Sequence, residues 1–87
     1  MLFNSGQILF TPGALELAEK GVNLLRYLKR HLRGDWGDLG AEDKQENDYS
    51  LQRNLRIFSA YNTPKGKLWI ITEADRSATT FLLPDEY

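Results

Sequence analysis

Hydrophobic positions change their spacing once along this chain. In the front half Leu24, Leu25, Leu28 and Leu32 recur at helical intervals, with Tyr27 and His31 flanking the stripe. From Leu55 onward the interval is two: Leu55, Ile57, Ser59 and Tyr61 alternate with Arg56, Phe58 and Ala60. A helical front followed by a pleated tail predicts an α+β domain.

Residues that start and stop backbone structure mark the elements. The run Gln7-Ile8-Leu9-Phe10 is compatible with a short strand and stops at Thr11-Pro12-Gly13. Thr11 suits an N-cap and Pro12 the first helical position, where a missing N–H has no helical partner to lose. A helix over Ala14 to Lys20 is expected, closed by Gly21, held by Leu15 and by Leu17 or Ala18, and weakened by ~1 kcal/mol at Gly13. Asn23 caps a second helix that Gly34 ends. A third, mostly polar helix runs from near Ala41 toward Leu51, with an acidic first turn suited to the helix dipole and with Leu39, Tyr49 or Leu51 as its anchor. Asn62 to Lys67 then reads as a hairpin turn, Leu68 to Thr72 as the strongest strand, Glu73 to Ser77 as a second turn, and Ala78 to Leu83 as a last strand stopped by Pro84. The order β-α-α-α-β-β-β predicts two or three helices on one face of a three- to four-stranded, mainly antiparallel sheet, in one domain over residues 1–87.

Composition narrows the class without naming a function. The 87 residues, 41% hydrophobic and 26% charged, suit one globular core. No cysteine is present, which removes disulfides, thiolate metal sites and cysteine nucleophiles together. With no signal-peptide pattern in Met1 to Gly6 and no apolar run of bilayer length, the expected location is the reducing cytoplasm. A net charge of −1 gives no global attraction to nucleic acid or acidic lipid, so any electrostatic role must come from how charge is distributed.

The segments Trp36-Gly37-Asp38-Leu39, Glu42-Asp43-Lys44, Trp69 through Ser77 and Leu83-Pro84-Asp85-Glu86-Tyr87, with the start Thr11-Pro12-Gly13-Ala14, carry a family likeness. Through them the chain resembles, over nearly its whole length, short bacterial proteins of plasmids and integrative elements known as plasmid-related proteins. The resemblance implies a mobile-element setting and no mechanism. Some such proteins bear the label of a type I restriction modification subunit, which this sequence does not support. It has no glycine-rich cofactor loop after a strand, and Asn62-Thr63-Pro64 is not the Asn-Pro-Pro-aromatic motif of a DNA methyltransferase.

Three clusters carry candidate chemistry. Arg26, Lys29, Arg30 and Arg33, at i, i+3, i+4 and i+7, put four cations on one helical face. They read either as a nucleic-acid or phosphate contact or as a solvated helix face that Glu42, Asp43 and Glu46 neutralise. Asp35, Asp38, Glu42 and Asp43 surround a glycine-rich link containing Trp36; their spacing does not match a calcium loop, so turn and cap roles are expected, with Trp36 and Asp38 as a candidate protein contact. Glu73, Asp75 and Arg76 lie in the last turn, where Asp75 and Arg76 are a second candidate protein contact. His31 is the only histidine and, at the edge of an apolar stripe, is expected to be structural. No catalytic residue, metal site or cofactor is expected. The sequence reads as a non-enzymatic interaction module with a protein partner, or alternatively a nucleic-acid-binding one. It is expected to contact no membrane and to be a monomer or a weak homodimer through an open strand edge.

Overall fold

The computed structural model describes residues 1–87. Its elements are β1 (Gln7–Phe10), α1 (Pro12–Glu19), α2 (Leu24–Leu32), α3 (Ala41–Arg53), β2 (Ile57–Thr63), β3 (Gly66–Thr72) and β4 (Ala78–Leu82), followed by a 3-10 turn at Pro84–Glu86. The fold is α+β, with a four-stranded sheet in the order β1-β4-β3-β2. β2, β3 and β4 form the antiparallel meander, and β1 adds to β4 in parallel, Ile8 beside Thr79 and Phe10 beside Phe81.

The period-two pattern explains which side of the sheet is covered. Ile57, Ser59 and Tyr61 of β2, Leu68, Ile70 and Thr72 of β3, and Thr79 and Phe81 of β4 are all buried. They alternate with Phe58, Ala60, Trp69 and Thr80, which are half-buried, although Ile71 and Leu82 on that second face are buried as well. The core joins Tyr61, Leu68, Ile70 and Phe81 of the sheet to Ala14, Leu17 and Val22, with Leu24, Tyr27 and Leu28 of α2 packed against it. Burying such side chains contributes roughly 1.5–3 kcal/mol each, the main favourable term for a domain of this size.

Local signals place the first two helices. Thr11 Oγ1 accepts from the Ala14 N–H (3.2 Å) and Asn23 Oδ1 from the Arg26 N–H (3.3 Å), so both expected caps form. The inward faces differ from the leucine stripe. Leu25 is 57% exposed and Leu15 49%, while His31 is fully buried. Leu25 follows Leu24 by about 100° around the helix, so the two cannot face one core, and Tyr27 and His31 complete the stripe with Leu24 and Leu28.

Packing adds detail at Gly13 and along the third helix. Gly13 is closely packed: a Cβ there would stand 2.6 Å from the Glu86 carboxylate and from Leu83, so any other residue would have to move those side chains. That carboxylate accepts from the Gly13 N–H (2.9 Å), the Thr11 hydroxyl (2.6 Å) and the Leu83 N–H (2.7 Å), closing the chain's end over the start of α1. These bonds, led by the Thr11 hydroxyl, hold the Glu86 carboxyl below its ordinary range. Of the apolar anchors expected for the third helix, Tyr49 is 52% exposed, while Leu39 and Leu51 are half-buried. Asn47 and Ser50 are its buried residues. Asn47 pairs with the outer edge of β2 as a strand would, its Oδ1 accepting from the Phe58 N–H (3.1 Å) and its Nδ2 donating to the Phe58 carbonyl (2.5 Å).

Candidate functional site

The residues singled out as protein contacts all bond within the chain, with Trp36 buried, Arg76 half-buried, and Asp38 and Asp75 exposed. Trp36 is 4% exposed, packed against Phe3 and His31, and its indole N–H reaches Asp48 (3.3 Å). Its carbonyl accepts from the Ala60 N–H (3.2 Å), and the Asp38 N–H donates back to the Ala60 carbonyl (2.6 Å). The Asp38 carboxylate accepts from the Asn62 N–H (3.0 Å). Trp36, Gly37 and Asp38 therefore continue along β2 the edge pairing that Asn47 begins. Gly37 is required here, because its φ is +78° and a Cβ would lie 2.1 Å from the Ala60 carbonyl.

The other proposed contact is a clasp between the last turn and α3. Asp75 accepts from the Ser77 N–H (2.9 Å), and bonds from Ser77 keep its carboxyl below the usual range. Arg76, at φ +61°, donates to four backbone carbonyls: Leu55 (2.7 Å), Glu73 (3.1 Å), Ala74 (3.1 Å) and Ser50 (3.1 Å). Ser50 and Leu55 bracket the C-terminal end of α3, where a cation also meets the negative end of the helix dipole.

The cationic stripe is different, because most of it stays free. Arg26, Lys29 and Arg33 are exposed and have no ion-pair partner. Arg30 is held by Asp35 through two hydrogen bonds (2.7 and 3.2 Å) and lies 4.7 Å over the Tyr61 ring. Its bond to Asp35 raises the guanidinium's affinity for its proton and lowers the Asp35 carboxyl's. The acidic residues of α3 do not neutralise this face: none of them pairs with it.

The fold adds cations to the stripe that spacing along α2 does not reveal. Three surface hollows adjoin. The first holds Lys20, Lys65 and Lys67; the second shares Lys20 and Lys65 and adds Asn23 and Arg26; the third continues from Asn23 and Arg26 to Lys29, Arg30 and Arg33. The β2–β3 turn thus meets the connector between α1 and α2, and one trough contains seven of the eleven Lys and Arg residues. Only Glu16, Asp35 and Asp85 of the twelve acidic residues share it, giving +4 on this surface and −5 on the remainder. Lys20 pairs with Glu16 (3.1 Å). Arg26, Lys29, Arg33, Lys65 and Lys67 remain as five unpaired cations.

A buried polar chain escaped the sequence reading. His31 Nδ1 lies 2.5 Å from Ser59 Oγ, and Nε2 lies 2.9 Å from Thr72 Oγ1. Thr72 meets Thr79 (2.7 Å), and Thr79 donates to the Ser5 carbonyl (2.7 Å). The carbonyl can only accept, so each hydroxyl's single proton fixes the next bond. Thr79 gives its proton to Ser5, Thr72 gives its own to Thr79, and His31 carries its proton on Nε2 and accepts from Ser59. Burial pushes the imidazole down to about 3, so the ring is neutral. Ser59 beside His31 has the pairing an activated nucleophile needs, but both side chains have no solvent exposure.

No group of three or more His, Cys, Asp and Glu side chains is arranged to hold a metal ion, and no helix is long and apolar enough to cross a membrane. No protein-family model, no curated protein and no solved structure matches this chain.

Proposed function

We propose that this protein is a non-catalytic binding module that holds the phosphate backbone of a double-stranded nucleic acid along the basic trough. One observation carries the reading: a chain of net charge −1 gathers seven cations on one surface, five of them without an internal partner. Charge segregated in this way attracts a polyanion despite the unfavourable total. The trough supports duplex rather than single-strand binding, since its one aromatic, Tyr27, is half-buried and packs on Tyr61 (5.2 Å) instead of offering a stacking face. Contacts to phosphate alone imply little sequence preference.

A protein partner at Trp36, Asp38, Asp75 and Arg76 has less support, because each of these residues already bonds within the fold. The family resemblance suggests a mobile-element setting and the absence of cysteine a cytoplasmic one, where nucleic acid is at hand. Fluorescence anisotropy with a short labelled duplex at ~50 mM salt tests the reading. Saturable binding is expected, and Lys29→Glu with Arg33→Glu should remove it while the circular dichroism spectrum stays unchanged. No binding at that salt, or undiminished binding by the double variant, overturns it.

A further inference from the structure

The two outer strands of the sheet end differently. Along β2, Asn47 occupies the N–H and carbonyl of Phe58, the Trp36–Asp38 segment those of Ala60, and the Asp38 carboxylate the N–H of Asn62. No comparable cover exists along β1. Gln7 donates to the Ser77 carbonyl (2.9 Å) and Thr11 to the Phe81 carbonyl (3.0 Å), so these residues face β4. Alternation then turns the N–H and carbonyl of Ile8 and Phe10 outward. The strand also lacks what usually blunts an edge: Gln7 to Phe10 contains no charge and no proline. Leu9 and Phe10 are 40% and 42% exposed beside it.

We propose that β1 pairs with β1 of a second copy of this chain, antiparallel, about a two-fold axis through Leu9. In that register Ile8 of one copy stands opposite Phe10 of the other. Both residues face outward, so the two such pairs make four backbone hydrogen bonds and use every free group of the edge. Leu9 meets its own counterpart in the closer, non-hydrogen-bonded pair, covering two apolar side chains at once. The same patch serves both copies, as a two-fold contact requires, and the uncharged strand opposes it with no repulsion. Assembly stops at two copies because the β2 edge at each far end is already occupied, so the joined sheet has eight strands. A four-residue edge buries less than the ~1,200 Å² of stable complexes, so dissociation constants between about 1 μM and 1 mM are expected. This inference does not depend on nucleic-acid binding.

Sedimentation equilibrium of the full chain provides the test. Average mass should rise from 10.0 kDa toward twice that value as concentration approaches about 1 mM. Leu9→Lys and Leu9→Glu should each stay monomeric, since either puts like charges directly opposite one another. An equimolar mixture of the two should recover the dimer, because only the proposed register sets the lysine against the glutamate. Amide exchange of the wild-type chain, which needs no variant to fold, should show Ile8 and Phe10 becoming protected as concentration rises. A wild-type chain that stays at 10.0 kDa, a single variant that dimerises like wild type, or Ile8 and Phe10 amides indifferent to concentration overturns the pairing. A mixture that stays monomeric overturns the axis at Leu9.

Discussion

At the residue scale, His31 sets the pH response of the fold. Its ring is neutral in the native state because no charge partner compensates its burial, which lowers its affinity for a proton to about 3. In the unfolded chain the same ring titrates near 6.5. Between those values the unfolded state binds more protons, so stability falls as pH falls. The contribution is complete above about pH 6.5, is lost at up to about 1.4 kcal/mol per pH unit below it, and levels off near the folded value. Carboxylates held low by partners, such as Asp35 and Glu86, act only at more acidic pH. The window from pH 6.5 to 5 therefore belongs to the only histidine, and about 2 kcal/mol should disappear across it. Urea denaturation at both values measures this, and His31→Gln should flatten the difference. Equal midpoints for the wild-type protein at the two pH values would remove the neutral buried ring from the account.

At the element scale, α3 is held by polar side chains, and its stability should respond accordingly. Asn47→Ala breaks two hydrogen bonds and leaves the N–H and carbonyl of Phe58 without protein partners, which should cost about 2 kcal/mol in chemical denaturation. Asn47→Asp tests the pairing more sharply. It keeps the acceptor for the Phe58 N–H but sets a carboxylate against the Phe58 carbonyl, so it too should destabilise; a neutral effect would mean that Asn47 is not pairing with the strand. This docking also shows where sequence reading stops. Thr11 and Asn23 were legible as caps because each bonds three residues onward. The strand order of the meander was legible because turns join its neighbours. Asn47, Arg76 and Glu86 bond across 11, 26 and 73 residues, and nothing in local spacing marks them. For the same reason periodicity identified Arg26, Lys29 and Arg30 of α2 and its C-cap Arg33, and could not supply Lys65 of the β2–β3 turn or Lys67 at the start of β3.

At the scale of the whole molecule, the trough's charge makes a quantitative claim about binding. Five unpaired cations contacting five phosphates would give a log–log salt slope near −4.5, or roughly a 500-fold loss of affinity between ~50 and ~200 mM salt. Removing Arg33 should make that slope shallower by about 0.9 and weaken binding to all sequences alike. Arg30 allows a test in the opposite direction. Its guanidinium is occupied by Asp35, whose Oδ1 also accepts from the Gly37 N–H (3.3 Å). Asp35→Asn removes the negative charge from the trough and loosens the guanidinium, while an amide oxygen can still accept from Gly37. The exposed Arg30–Asp35 pair contributes little to stability, so the fold should tolerate the change. Affinity for duplex should then increase and the salt slope should steepen by about 0.9, as a sixth cation becomes available to phosphate. Structural damage rarely produces a gain in affinity, which separates this outcome from simple unfolding. Weaker binding by Asp35→Asn, with the fold intact by circular dichroism, would place the duplex somewhere other than along α2.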